Sequence, residues 1–107
     1  MSSFGFEEMQ QIQKELQGKY KQWGGLPPEK GMEKLLWAYA EMGEVADIIK
    51  ENSCGDILND GEVRKHFIEE MCDVMMYLND VMLCYDVLAE EIERIYKEKH
   101  RRNMERW

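Results

Sequence analysis

The chain has 107 residues, enough for a single domain (1–107) around one core. A net charge of −8 argues against nucleic acid as a partner, and three cysteines without a CxxC pair (Cys54, Cys72, Cys84) argue against a disulfide framework or a zinc knuckle. No apolar run approaches the ~20 residues of a membrane span, and the first residues lack a signal peptide's basic start and apolar stretch, so no membrane partner is expected and the cytoplasm is the expected compartment.

Four helices are expected, and no segment alternates with the period of two that marks a strand. The first runs from about Phe4 to Trp23, where Phe6, Met9, Ile12, Leu16 and Tyr20 recur at three- and four-residue steps, with Ser3 as its cap. Gly24-Gly25-Leu26-Pro27-Pro28 breaks the chain, and the second helix follows from about Glu29 to Glu51. A short polar loop through Asn59-Asp60-Gly61 leads to the third, roughly Glu62 to Tyr85, with Asp60 as its N-cap. The fourth covers roughly Val87 to Arg106. The expected fold is an all-α four-helix bundle with its second and third helices antiparallel. Cys72, Cys84 and the methionines, Met42, Met71, Met75, Met76 and Met82 among them, read as core residues, the methionines suited also to repacking at a subunit contact.

Two acidic pairs interrupt these apolar helices: Glu41-Met42-Gly43-Glu44 in the second and Glu70-Met71-Cys72-Asp73 in the third. A spacing of three puts both carboxylates of a pair on one helix face. Two unit charges ~5.5 Å apart repel by roughly 3 kcal/mol at an effective dielectric near 20, so four carboxylates among apolar neighbours call for a cation. Hard oxygen ligands suit Mg²⁺, or Mn²⁺. In the antiparallel pair Glu41 faces Asp73 and Glu44 faces Glu70, which places a metal site of Glu41, Glu44, Glu70 and Asp73 between the two helices.

One turn further, Trp37 and Tyr77 fall at the same end of that site. They are either core aromatics or a pair on which a flat ring can stack. In the last helix Lys99, Asn103 and Arg106 form one stripe at i, i+4, i+7, within a segment from Arg94 to Trp107 holding six basic residues against two acidic ones. That stripe is either a solvated face or a holder of phosphate oxygens.

Taken in order, Glu41-x-x-Glu44, a spacer, Glu70-x-x-Asp73 and the tail Lys99-x-x-x-Asn103-x-x-Arg106, with the flanks Leu35–Asp47 and Glu69–Leu78, this sequence resembles the all-α nucleoside triphosphate pyrophosphohydrolases of the MazG-like and dCTP-pyrophosphatase-like superfamily. Cys72 departs from that pattern, standing where many members have Gly or Ser. The resemblance covers roughly Trp23 to Trp107. It implies a four-helix fold that assembles as a dimer or tetramer and cleaves (deoxy)nucleoside triphosphates to monophosphate and pyrophosphate with Mg²⁺, a house-cleaning role in the nucleotide pool. On that reading Glu41, Glu44, Glu70 and Asp73 are the metal-holding catalytic residues. Lys99, Asn103 and Arg106 hold phosphates, and Tyr77, Trp37 and Trp23 stack on the base. Which glutamate is the general base and which phosphorus is attacked stay open, as do base and sugar.

Three other readings compete. A di-iron carboxylate bundle needs Glu-x-x-His on two helices, and neither His66 nor His100 stands three after a Glu. A non-catalytic helical interaction module would put the acidic pairs opposite the apolar face. The same fold acting on phosphoribosyl-ATP is the third.

Overall fold

A computed structural model describes residues 4–106. Its regular structure is all helical: α1 (Phe6–Lys19), a 3₁₀ turn (Lys21–Trp23), a second 3₁₀ turn (Pro28–Lys30), α2 (Gly31–Glu51), α3 (Cys54–Asn59), α4 (Gly61–Cys84) and α5 (Ala89–Arg106). No strand occurs among the described residues. None of the described helices is long and apolar enough to cross a membrane.

The helix boundaries follow local chemistry. The expected cap of α1, Ser3, lies outside the described residues, and Gly5 takes the cap position without a side-chain bond. α1 stops at Lys19 rather than running to Trp23. Gly18 weakens its last turn, and the chain then tightens into the first 3₁₀ turn, closed by Gly24 at φ 83° with Gly25 at φ 72°. Pro28 opens the second turn, where a missing N–H costs nothing, and α2 follows directly.

The described chain has five helices rather than the four expected. The extra one, α3, occupies the segment read as a polar loop. Ser53, which follows the end of α2, starts a new turn: its hydroxyl accepts from the Asp56 N–H at 3.1 Å. Asp60 caps α4 as expected, accepting from Glu62 N–H at 3.0 Å and Val63 N–H at 3.2 Å. At α5, the Glu91 carboxylate reaches back to the Leu88 N–H at 3.0 Å, half of a capping box.

α2 and α4 form the central pair. Lys34 meets Asp80, Trp37 meets Tyr77, and Glu41 meets Glu70, so positions rise along α2 as they fall along α4. The pair is antiparallel. α3 packs against α4, α1 lies across α4, and α5 makes its main contact with α1.

The orientation of α1 differs from its sequence pattern. Ile12 and Leu16 are 44% and 38% exposed, while Gln10, Gln13 and Gln17 face inward. Hydrogen bonds fix this. Gln10 Nε2 donates to the Val87 carbonyl at 2.8 Å, and Asn79 Nδ2 of α4 donates to the Met9 carbonyl at 3.1 Å. Buried amides need partners, and these bonds seat the glutamine face and leave the apolar one outward. The expected core is corrected in the same way. Cys84 is buried, but Cys72 is exposed, and Met42, Met71, Met75 and Met76 lie on outward faces of α2 and α4.

The result is an open arrangement. The chain exposes 8366 Å², whereas a monomeric globule of this 12.8 kDa mass would expose about 6,300 Å². Its radius of gyration is 16.3 Å, against about 13 Å for a compact domain of this length.

Candidate metal centre and adjoining cavity

The site is built where α2 and α4 cross at their acidic positions. Both helices are continuous through these residues, so the three-residue spacing holds each pair on the inter-helix face. Glu41, Glu44 and Glu70 come together, with one carboxylate oxygen from each lying within 4.8 Å of the others. Glu41 and Glu70 each keep one oxygen, Oε2, sealed from solvent without a hydrogen-bond partner. The remaining neighbour of note is His66, exposed, with Nε2 3.4 Å from Glu70 Oε1.

The electrostatics show the strain of this grouping. Burial, the Glu44 charge, a hydrogen bond with Glu70 and the charges of Asp73 and Glu70 together push the Glu41 carboxyl from its ordinary 4.5 up to about 7. Three clustered carboxylates with two orphaned oxygens fit a hard divalent cation in their donor chemistry.

Asp73 lies one turn beyond Glu70 and stands outside this trio. It acts on Glu41 through its charge and lines a cavity of about 500 Å³ that opens beside the carboxylates. Trp23, Trp37 and Tyr77 line the same cavity. The Trp37 and Tyr77 rings are nearly parallel, 18° between planes and 6.2 Å between centroids. Trp23 stacks on Tyr20 at 4.5 Å, and Lys30 Nζ donates to the Trp23 carbonyl, which ties together two residues of the cavity lining. All three aromatics expected near a base thus border one space, with Trp37 51% exposed rather than buried in a core.

The tail residues are placed elsewhere. Lys99, Asn103 and Arg106 sit on α5, and none of the three lines the cavity.

Among the cavity residues that the sequence pattern does not single out are Gln13, Gln17, Lys34 and Asp80. Asp80 is 2% exposed. Burial raises its pKa, while Lys34 and a hydrogen bond from Gln13 draw it back. Lys34 Nζ lies 4.0 Å from Asp80 Oδ2, and 6.0 Å from the centre of the Tyr77 ring. The signal available was periodicity: Asp80 stands seven after Asp73, and Lys34 seven before Glu41, on the carboxylate stripes.

No protein-family model, curated protein or solved structure matches this chain.

Proposed function

We propose that the protein is a Mg²⁺-dependent nucleoside triphosphate pyrophosphohydrolase of the MazG-like kind, converting (deoxy)nucleoside triphosphates to monophosphate and pyrophosphate in the cytoplasm. The observation that carries this reading is the junction of three carboxylates, two of them with orphaned buried oxygens, and an aromatic-bordered cavity reached through Asp73. An inert interaction module would place its acidic residues on solvated faces. Glu41 and Glu70 instead lie half-buried against the partner helix.

Glu41, Glu44 and Glu70, with Asp73 at the cavity side, would hold the ion. Bound there, Mg²⁺ (or Mn²⁺) supplies charge neutralisation at phosphate oxygens. The carboxylates orient the attacking water, and one glutamate takes its proton. The water oxygen forms a bond to phosphorus as the bridging P–O bond of the α–β linkage breaks, releasing pyrophosphate and monophosphate. Trp37, Tyr77 and Trp23 receive the base, where stacking contributes about 1–3 kcal/mol per base. Lys99, Asn103 and Arg106 stand on α5 away from this cavity, so the outer phosphates are left to the carboxylate-held ion and to Lys30 and Lys34 of the cavity lining.

The working form is proposed to be a homo-oligomer, a dimer or tetramer. The support is the excess of about 2,000 Å² of exposed surface over a compact monomer, more than twice the ~800 Å² each partner contributes to a standard interface. Ile12 and Leu16 on α1 and Met71 and Met75 on α4 supply apolar surface for it.

Pyrophosphate release from a panel of nucleoside triphosphates with Mg²⁺ tests the reaction, alongside Glu44→Gln and Asp73→Asn. Monophosphate and pyrophosphate in equal amounts, lost in both folded variants, is the expected result. No release from any triphosphate would rule the reading out.

A further inference from the structure

We propose that Gln17 and Asp80 form an acceptor wall that selects nucleotides whose base carries an exocyclic amino group. The inference rests on reading the cavity as a nucleotide site, and it names the class of base the cavity takes.

Both side chains line the cavity together with Trp37 and Tyr77. Both are more than nine-tenths buried, Gln17 at 8% and Asp80 at 2% exposure. Each carries an oxygen with no donor, Gln17 Oε1 and Asp80 Oδ1. A buried acceptor without a donor is costly, and two in one cavity form an unmet demand for hydrogen-bond donors. Lys34, 4.0 Å from Oδ2, and Gln13 engage the Asp80 side chain, and Oδ1 alone is left without a donor and open to a ligand.

The placement matches the order of groups in a nucleotide. Glu70, Asp73, Tyr77 and Asp80 follow one another along a single stripe of α4. Ten residues of helix separate Glu70 from Asp80, about 15 Å at 1.5 Å per residue. Phosphates held at the carboxylate end put the sugar near Asp73, the ring beside Tyr77 and Trp37, and the far edge of the base against Gln17 and Asp80.

That edge distinguishes the bases. Cytosine, adenine and guanine each present an amino group with two N–H donors, one for each orphaned oxygen. Uracil and thymine present a single ring N–H between two carbonyls, so at least one carbonyl oxygen would face a protein acceptor. A glutamine amide can turn either end to a ligand, but an ionised carboxylate only accepts. Asp80 is therefore the discriminating residue and Gln17 its support.

The test is a titration of the intact protein with dCMP, dAMP, dGMP, dUMP and dTMP, followed by tryptophan fluorescence, since Trp23 and Trp37 border the cavity. The amino-bearing monophosphates should bind at least about tenfold tighter than dUMP and dTMP. Asp80→Asn, whose amide can donate to a carbonyl, should raise uracil affinity and shrink the gap to within about threefold. Equal affinities in the unaltered protein overturn the inference, and this comparison stands even if the variant fails to fold. So does an unchanged gap in folded Asp80→Asn. Pyrophosphate release from the matching triphosphates separates the two readings. Turnover of all five at one rate, with no binding preference, overturns the base selection and leaves the pyrophosphohydrolase standing. Selective binding of monophosphates without turnover supports the acceptor wall and overturns the reaction.

Discussion

Glu41 and Glu70 face each other across the α2–α4 contact, and each keeps one carboxylate oxygen, Oε2, buried and without a partner. A divalent cation would satisfy both at once. Mg²⁺ should therefore raise the melting temperature by several degrees, as about 1 kcal/mol shifts a domain of this size by about 4–8 °C. Glu70→Gln should abolish that rise. Calorimetry with and without Mg²⁺ decides it, and a melting temperature indifferent to the ion in the unaltered protein would remove the metal centre.

The same pair sets the pH response of the metal-free protein. Glu41 titrates near 4.5 when unfolded and near 7 when folded, so the folded chain binds the proton more tightly. Its contribution is full below pH 4.5 and is lost as pH rises through 7. Urea unfolding between pH 5 and 8 should show stability falling across that interval. In Glu41→Gln the fall should flatten, because the amide carries no titrating proton.

Asp60 ties down two N–H groups at the start of α4, the helix that carries Glu70, Asp73, Tyr77 and Asp80. Asp60→Ala should cost about 1 kcal/mol, a fall of about 4–8 °C in melting temperature. Ser53→Ala removes one bond from the six-residue α3 and should loosen that helix locally, read as faster amide exchange at Asp56 with little change in global melting.

Light scattering at micromolar concentration should give a mass at least twice 12.8 kDa. Ile12→Glu and Met75→Glu place charge on the apolar faces of α1 and α4, and each should shift the protein toward monomer without loss of helix content. A monodisperse monomer in the unaltered protein would leave the surplus surface without a partner and sink the assembly proposal.

The legible part of the fold was the part set by local chemistry. Asp60, Pro28 and the Gly24-Gly25 pair mark helix edges whatever surrounds them, and the ends of α2, α4 and α5 fall within two residues of where they were read. The antiparallel pairing of α2 with α4 and the approach of Trp37 to Tyr77 follow from helix period and a short connection, but the register differs from the expected one: Glu41 meets Glu70 rather than Asp73. What a single chain's pattern misjudged was which face points inward. α1 reads as an amphipathic helix with Ile12 and Leu16 buried, yet long-range bonds, Gln10 to Val87 and Asn79 to Met9, turn its glutamines to the interior. Such bonds join positions seventy or more residues apart, and no local period encodes them. Asp80 and Lys34 were missed because a lone charge on an apolar stripe looks like surface until its partner is known. The four acidic residues were read as one set, and the structure gathers three, with Asp73 turned to the cavity.

The three thiols give the molecule a footprint of its own association. Cys84 is buried, and burial pushes its thiol pKa upward, so it should stay silent toward alkylating reagents. Cys54, exposed at the start of α3, should react whatever the concentration. Cys72 lies between Met71 and Met75 on the outer face of α4 and borders the apolar groove beside Met9 and Ile12. Its alkylation rate relative to Cys54 should drop as protein concentration rises, and Met75→Glu should restore it, so one cysteine reports the occupancy of that face in an ordinary mass spectrum.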